Sequence, residues 1–185
     1  NVSLILGDNF FYGQSLSEKL KRTIKQKKGA TILLHPVKNP NQFGVATLKG
    51  KKIINLIEKP KKTKSNLAIT GLYFFDNTVV KKAMSLKKSK RNELEIIDLL
   101  KVYKNNNMLK ADLLGRGAAW LDAGTIDDFN QTSIFVSAIE KRQGFKIACL
   151  EEIAFLNKWI DKTKIKSAIS FYGNCEYSKY LKSLI

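Results

Sequence analysis

Two aspartates, each in a short loop signature near an apolar segment, constrain this chain more than any other feature. Asp8 follows the apolar run 2–6, and Asp122 follows Trp120-Leu121. An acidic residue just past the end of a buried strand stands where open α/β sheets bind their ligands. Two such carboxylates, brought together by the fold, would form an oxygen site of the kind that Mg²⁺ takes beside substrate phosphates. The alternative for each aspartate is an ordinary turn or helix-cap residue.

A third signature, Glu58-Lys59-Pro60, lies between the two aspartates in the sequence. Glu58 offers an acceptor for hydrogen bonds from hydroxyl groups, and Lys59 offers a cation that can bind phosphate. Pro60 fixes its own φ and stiffens the loop. Without that context Lys59 would be one surface lysine among many. Together with the acidic pair, the signature suggests phosphoryl chemistry on a sugar phosphate.

The length and composition indicate an ordinary folded domain. A chain of 185 residues with 44% apolar residues suits one domain, or one domain with a short appendage. No apolar stretch is long enough to cross a bilayer, and no secretory signal is recognisable, so we expect a cytoplasmic protein. Cys149 and Cys175 have no metal-binding spacing, and we interpret them as reduced thiols rather than as a disulfide.

The net charge of +17 raises the alternative of a nucleic-acid-binding module. The 33 basic residues include only four arginines, which are Arg22, Arg91, Arg116 and Arg142. Arginine is favoured for base-edge and planar phosphate recognition. The lysines are scattered, and their densest groups carry no interleaved aromatics for stacking. We therefore expect no nucleic-acid partner and no membrane partner, and we attribute the charge to anionic small substrates or to lysine-rich composition.

The hydrophobic pattern predicts mixed strands and helices, and hence an α/β fold. Strands are predicted at 1–6 (fully buried), 30–37, 43–48, 53–57, 67–75 and 109–114. Helices are predicted from a capping box at Ser15 to about 28, over 92–103, from a Thr125 cap to about 140, and in short pieces at 151–159 and 177–184. The segment 7–13 is predicted to be a loop. His35, the only histidine, is expected to be structural. The chain contains neither G-x-G-x-x-G nor a Walker sequence.

An ordered series of motifs carries a family resemblance. The series comprises LILGDN (4–9), FGV (43–45), EKPK (58–61), TGLYFFD (70–76), RNELEI (91–96), LGRG (114–117), WLDAGT (120–125) and EKRQGFKIACLEEIA (140–154). In this order the motifs resemble the glucose-1-phosphate thymidylyltransferases, the sugar nucleotidyltransferases that make dTDP-glucose. The last motif is the most specific, because it separates this subfamily from other sugar-phosphate nucleotidyltransferases. The family's opening segment, which has a glycine-rich loop that holds the nucleoside triphosphate, has no counterpart in the sequence.

The resemblance implies a Rossmann-like mixed sheet that lacks its N-terminal part and carries a helical C-terminal appendage. Residues 1–140 would form the sugar-phosphate-binding part of the α/β domain, and residues 141–185 a helical segment at a regulatory interface. The implied reaction makes dTDP-glucose and pyrophosphate from dTTP and glucose 1-phosphate with Mg²⁺, in dTDP-sugar and polysaccharide biosynthesis. A homo-oligomer, a tetramer in the family, is also implied.

The resemblance also assigns roles residue by residue. Asp8 and Asp122 match the two Mg²⁺ ligands, Lys59 the phosphate-binding lysine, and Arg91 a second phosphate contact. The remaining substrate-binding positions are Gly44, Glu58, Ile69, Thr70, Gly71, Tyr73 and Trp120. For Tyr73 the alternative is a half-buried strand tyrosine, and for Trp120 it is core packing. The positions that match a regulatory site for the dTDP-sugar end product are Gly115, Arg116, Lys146, Cys149, Glu152 and Ile153.

One further function stays open at this point. The chain could be a non-catalytic remnant that binds a sugar nucleotide or pairs with other subunits.

Overall fold

The structure is a computed structural model that describes residues 1–89 and 92–185. The strands within these ranges are β1 (Val2–Ile5), β2 (Asn9–Gly13), β3 (Ala30–Pro36), β4 (Gly44–Lys49), β5 (Lys52–Glu58), β6 (Leu67–Phe75), β7 (Leu109–Leu113) and β8 (Ala118–Asp122). The helices are α1 (Leu16–Ile24), α2 (Val79–Met84), α3 (Ile96–Asn105), α4 (Ile126–Gln143), α5 (Leu150–Leu156), α6 (Lys162–Tyr172) and α7 (Glu176–Ser183). A 3₁₀ turn spans Pro40–Gln42.

The main sheet has six strands, and β6 lies at its centre. The strand order is β5-β4-β6-β3-β7, and β1 pairs with β6 outside this path. The β3–β7 pair is parallel and the other pairs are antiparallel. The predicted α/β class with a mixed sheet is therefore confirmed.

The two faces of the sheet bury different side chains, because successive residues of a strand point to opposite faces. Phe75 and Tyr73 of β6 join a large cluster with Leu100 and Tyr103 of α3. Phe74 and Leu72, which alternate with them along the strand, join a second cluster against which Leu16 and Leu20 of α1 pack. The apolar run of β6 is thus buried on both faces, as its sequence indicates.

The small sheet of β2 and β8 was not predicted. Its antiparallel register pairs Asn9 with Asp122 and Gly13 with Ala118. Segment 7–13, predicted as a loop, therefore supplies a strand whose partner lies more than 100 residues further along the chain. This small sheet is the element that joins the two acidic loops.

The first strand differs from the prediction of full burial. Residues Val2, Leu4 and Ile5 are 42%, 40% and 55% exposed. The reason is that β1 has β6 on one side only, within the part of the chain that the structure describes. Strand β1 is thus an exposed edge with an apolar surface.

Helix boundaries were predicted less well than strands. The capping box at Ser15 is wrong, because Ser15 adopts a left-handed conformation with φ 63° and its side chain makes no capping hydrogen bond. Helix α3 begins at Ile96 rather than at 92, and α2 and α6 were not predicted. The Thr125 cap is confirmed, since its hydroxyl accepts a hydrogen bond from the Asp128 N–H at 3.1 Å.

The chain divides into two compact units, Asn1–Asp128 and Phe129–Ile185. The first unit contains both sheets. The second is helical, and its core is formed by Cys149, Ile165 and Leu181. Among the described residues, no helix combines the length and apolarity needed to cross a membrane.

Candidate active site

A pocket of about 230 Å³ in the first unit collects most of the predicted site residues. The predicted residues that line it are Asp8, Gly44, Glu58, Lys59, Ile69, Gly71, Tyr73, Trp120 and Asp122. These residues come from β4, β5, β6, β8 and the loops after β1 and β5. The fold thus brings together positions that are up to 114 apart in the sequence.

The two aspartates converge at one edge of this pocket. The backbone N–H of Ala123, next to Asp122, donates to the carbonyl of Asp8 at 2.7 Å. A Cβ atom built on Gly124 would lie 3.7 Å from Asp8 Oδ2 and 3.7 Å from both carboxylate oxygens of Asp122. The carboxylates therefore face a common point, and Gly124 leaves that point open because it has no side chain.

The electrostatics of Asp122 reflect this convergence. Burial raises the pKa of the Asp122 carboxyl, and the negative charges of Asp8 and Asp128 raise it further. The positive charge of Lys59 acts on the same carboxyl in the opposite direction and lowers its pKa. A bound cation would reduce the repulsion between the two carboxylates.

The donor set at this edge fits Mg²⁺. Both side chains offer hard oxygen ligands, and Mg²⁺ is commonly held by one or two carboxylates plus substrate phosphates and water. No group of three or more His, Cys, Asp or Glu side chains with metal-binding geometry occurs among the described residues. The site thus lacks the complete protein cage typical of structural zinc.

Glu58 and Lys59 of the Glu58-Lys59-Pro60 signature also line the pocket. Glu58 ends β5 and lies directly across from Gly44 on β4. A Cβ on Gly44 would come within 3.1 Å of Glu58 Oε2, so glycine leaves room for this carboxylate. Lys59 has φ 39°, a left-handed conformation that is strained for a residue with a side chain. Its N–H donates to the Phe43 carbonyl at 3.1 Å, which holds the loop against β4.

Strand β6 separates its predicted residues by face. Ile69, Gly71 and Tyr73 line the pocket. Thr70 does not line it, because it points to the other face, where it is fully buried and its hydroxyl donates to the Leu33 carbonyl at 3.1 Å. Burial raises the pKa of the Tyr73 phenol, and the charge of Glu58 raises it further. Tyr73 is therefore a neutral hydroxyl in the pocket.

Trp120 packs edge-on against Phe43, with ring centroids 5.1 Å apart. It also lies near His35, at 6.3 Å between centroids. His35 is not among the pocket-lining residues. Its Nδ1 is buried without a hydrogen-bond partner in the described part of the chain, and burial lowers its pKa.

Some predicted residues cannot be placed in this pocket. Arg91 lies outside the described residues, so its predicted phosphate contact remains a prediction. Of the predicted regulatory residues, Gly115 and Arg116 are exposed in the first unit. The others belong to the second unit and are Lys146, Cys149, Glu152 and Ile153.

The four regulatory candidates of the second unit differ in their surroundings. Lys146 pairs with Glu140 at 2.6 Å. Cys149 is buried, and Glu152 accepts a hydrogen bond from the Tyr180 hydroxyl at 2.7 Å. Burial and this bond raise the pKa of Tyr180 to about 12. Ile153 is 41% exposed. Lys146 also lines a depression of about 690 Å³ within this unit.

Sequence reasoning missed several residues of the site. Asn9 was quoted in a motif but given no role, and in the structure it links Asp8, Asp122, Gly71 and Trp120. The Gly-Asp-Asn triplet was the available signal. Leu6, Phe43 and Ile96 also line the pocket and lay in the quoted motifs without an assigned role, whereas Gln42 and Ile97 lay outside the motifs.

Comparison with known proteins identifies the family. Residues 1–138 match the Nucleotidyl transferase family. The chain belongs to this family. It is 43% identical over 186 residues to a glucose-1-phosphate thymidylyltransferase from Neisseria meningitidis, and 40% identical over 186 residues to one from Mycobacterium tuberculosis.

Solved structures agree with this membership. A Bacillus anthracis protein assigned as a glucose-1-phosphate thymidylyltransferase, solved in complex with a sucrose, superposes with a TM-score of 0.64 at 37% identity, over 72% of this chain and 53% of that one. An apo UDP-glucose pyrophosphorylase superposes with a TM-score of 0.63 over 76% of this chain and 54% of that chain; its 20% identity speaks for the fold alone.

The sequence alignments with these two thymidylyltransferases cover all of this chain but only part of each relative. The chain spans 65% of the length of the Neisseria meningitidis relative and 64% of the Mycobacterium tuberculosis one. The predicted resemblance to glucose-1-phosphate thymidylyltransferases is confirmed by these relatives.

Proposed function

We propose that this chain is the sugar-phosphate-binding part of a Mg²⁺-dependent glucose-1-phosphate thymidylyltransferase. One observation carries the proposal, namely that Asp8 and Asp122 face a common point at the edge of a pocket that Glu58 and Lys59 also line. The curated relatives from Neisseria meningitidis and Mycobacterium tuberculosis are named for this activity. A cytoplasmic homotetramer that serves dTDP-sugar and polysaccharide biosynthesis is part of the same proposal.

The reaction is a displacement at phosphorus. A phosphate oxygen of glucose 1-phosphate attacks the α-phosphorus of dTTP, and the bond from that phosphorus to the bridging oxygen breaks. Pyrophosphate leaves with the bond's electron pair, and dTDP-glucose is formed. The attacking phosphate is already anionic at neutral pH, so a general base is not required. Catalysis then consists of positioning the reactants and stabilising charge.

The residues of the pocket divide these tasks. Glu58 accepts hydrogen bonds from glucose hydroxyls, and Gly44 lets the sugar approach the backbone closely. Lys59 binds the phosphate of glucose 1-phosphate, and the neutral Tyr73 hydroxyl donates toward the same group. Asp8 and Asp122 hold the Mg²⁺ ion, which when bound neutralises negative charge on the reacting phosphates.

A calorimetric titration tests sugar-phosphate binding by the chain itself. Glucose 1-phosphate is titrated into the 185-residue chain with Mg²⁺ present, and dTDP-rhamnose is titrated in parallel. We expect heat of binding for glucose 1-phosphate. Heat for dTDP-rhamnose with none for glucose 1-phosphate would contradict the proposal and favour a non-catalytic protein that binds a sugar nucleotide.

Turnover requires a second experiment. The chain is fused to the opening segment of the Neisseria meningitidis relative and incubated with dTTP, glucose 1-phosphate and Mg²⁺. We expect pyrophosphate release that depends on both substrates. A folded fusion that binds both substrates and releases no pyrophosphate would reject the enzymatic function.

The six regulatory candidates are proposed to contact a dTDP-sugar end product. Competition between dTDP-rhamnose and substrates in the fusion would test this role. Inhibition that is lost in Arg116→Ala and retained in Lys110→Ala is the expected result, and equal inhibition of both variants would contradict it.

A further inference from the structure

The side chain of Asn9 uses every hydrogen-bonding position that it has. Its amide nitrogen donates to Asp8 Oδ1 at 2.8 Å and to Asp122 Oδ1 at 3.4 Å. Its amide oxygen accepts from the Gly71 N–H at 3.0 Å and from the Trp120 indole N–H at 2.6 Å. An asparagine amide has two N–H donors and two oxygen lone pairs, so this network satisfies all four.

The two donors on one side fix the orientation of the amide. Both Gly71 N and Trp120 Nε1 can only donate, so the oxygen of Asn9 must face them. The NH₂ group is then forced toward the two carboxylates. A fully satisfied network of this kind restrains each of its members.

We infer that Asn9 is the positioning residue of the acidic pair and that it holds Asp8 and Asp122 in a divalent-cation-binding arrangement. This inference rests on the proposed function, since that proposal assigns the cation to the two aspartates. Two carboxylates that face one another repel before a cation arrives. Asn9 bridges them through two N–H groups and engages Oδ1 of Asp8, while Oδ2 is the oxygen that faces Gly124.

The space around Gly71 also supports this role. A Cβ built on Gly71 would lie 2.6–2.7 Å from the amide atoms of Asn9, closer than real Cβ contacts. Gly71 lies in the middle of β6, where a glycine weakens a strand. The Asn9 side chain occupies the space that any larger residue at position 71 would need.

If Asn9 is the positioning residue, substitutions at positions 9 and 71 should both affect cation binding through the Asn9 side chain. Asn9→Ala removes the bridge, and Gly71→Ala displaces it. In the double variant Asn9→Ala/Gly71→Ala the clashing amide atoms are absent, so the second substitution should have no further effect on cation binding. Contacting residues are expected to deviate from additivity in this way.

A Mn²⁺ titration tests the positioning role without turnover. Binding is measured as the loss of the free-ion signal in electron paramagnetic resonance. Outer-shell partners of metal ligands typically contribute about 10–100-fold in affinity. We expect Asn9→Ala and Gly71→Ala each to raise the Mn²⁺ dissociation constant by that order, and the double variant to match Asn9→Ala. Far-UV circular dichroism should show that Asn9→Ala keeps the wild-type secondary structure, and Asn106→Ala and Gly117→Ala are matched controls.

The outcomes separate this inference from the proposed function. Wild-type affinity in Asn9→Ala, or additive effects in the double variant, would overturn the positioning role and leave the metal site intact. No Mn²⁺ binding by the wild-type chain would instead overturn the proposed metal site itself, and the inference with it. If Gly71→Ala fails to fold, the affinity of Asn9→Ala against Asn106→Ala decides alone.

Discussion

Asn9 and Asp122 are directly opposite one another in the ladder that joins β2 and β8. This pairing places the loop that carries Asp8 beside the end of β8, although the two segments are far apart in the sequence. The small two-stranded sheet therefore assembles the acidic pair, while the main sheet supplies the walls of the pocket.

Replacement of Lys59 should separate binding from stability. Lys59→Ala and Lys59→Gly both remove the charge, and each should weaken glucose 1-phosphate binding by about 10-fold or more, the order expected for a charge-assisted hydrogen bond. Because Lys59 has φ 39°, Lys59→Gly should be more stable than Lys59→Ala by about 1 kcal/mol. Calorimetry and urea unfolding measure the two effects. Lys62→Ala is an exposed control, and wild-type affinity in Lys59→Ala would exclude the phosphate contact.

Gly44→Ala should weaken sugar-phosphate binding by displacing its neighbours. The added Cβ would lie 3.0 Å from Ile97 Cδ1 and 3.1 Å from Glu58 Oε2, so one of them must move. We expect a several-fold rise in the dissociation constant of glucose 1-phosphate. Gly117→Ala is a control, since nothing lies within 4 Å of its added Cβ. Equal binding by both variants would show that Glu58 is not confined by Gly44.

The buried Asp76 should make the chain sensitive to acid. Its carboxylate accepts hydrogen bonds from Gly29 N, from Thr78 N and Oγ1, and from the Tyr103 hydroxyl. Burial alone would raise the pKa of Asp76, but these bonds lower it from 3.8 to about 2. The folded pKa lies below the unfolded one, so the stabilisation is complete above about pH 4. It is lost as the pH falls toward 2, and it amounts to about 2 kcal/mol.

Urea unfolding at pH 6 and pH 2.5 measures this contribution. The deficit of Asp76→Asn relative to wild type should be large at pH 6 and should shrink at pH 2.5, because that pH lies below the pKa of 3.8 and the carboxyl is then protonated in the unfolded chain. The exposed Asp127→Asn is the control. A deficit of the same size at both pH values would mean that the Asp76 charge does not stabilise the fold.

The exposed edge of β1 should promote self-association. Ile5 is 55% exposed on a strand that pairs on one side within the described residues, and such edges template further strand pairing. Ile5→Lys should reduce concentration-dependent association in analytical ultracentrifugation. Val80→Lys, at a position 61% exposed on α2, should not. A wild-type chain that stays monomeric at all concentrations would contradict this prediction.

Local sequence patterns predicted the central sheet well. Strand β6 was predicted over 67–75, and it spans Leu67–Phe75, because a segment rich in β-branched and aromatic residues favours a strand. The hairpin of β4 and β5 was found for similar reasons. Burial of β1 was mispredicted, because an apolar run does not reveal whether both sides of a strand are paired.

The assembly of the site was harder to predict. The pairing of β2 with β8 joins distant segments, and the local hydrophobic pattern of either segment does not predict it. Asn9 acts through four hydrogen bonds, three of them to residues at least 62 positions away, so its role appears only in three dimensions. Loop signatures singled out Asp8, Asp122 and Lys59, and the family resemblance assigned their roles, but the exclusion of the Thr70 side chain from the pocket was visible only in the fold.

The most direct test of the account is the Mg²⁺ dependence of glucose 1-phosphate binding, measured by calorimetry on wild type, Asp8→Asn and Asp122→Asn. Because both aspartates are proposed to hold one cation beside the sugar phosphate, Mg²⁺ should tighten wild-type binding by about 10-fold or more. Neither variant should respond to Mg²⁺, although both should keep their fold. Wild-type binding that is indifferent to Mg²⁺, or a full Mg²⁺ response in either variant, would contradict the shared cation site.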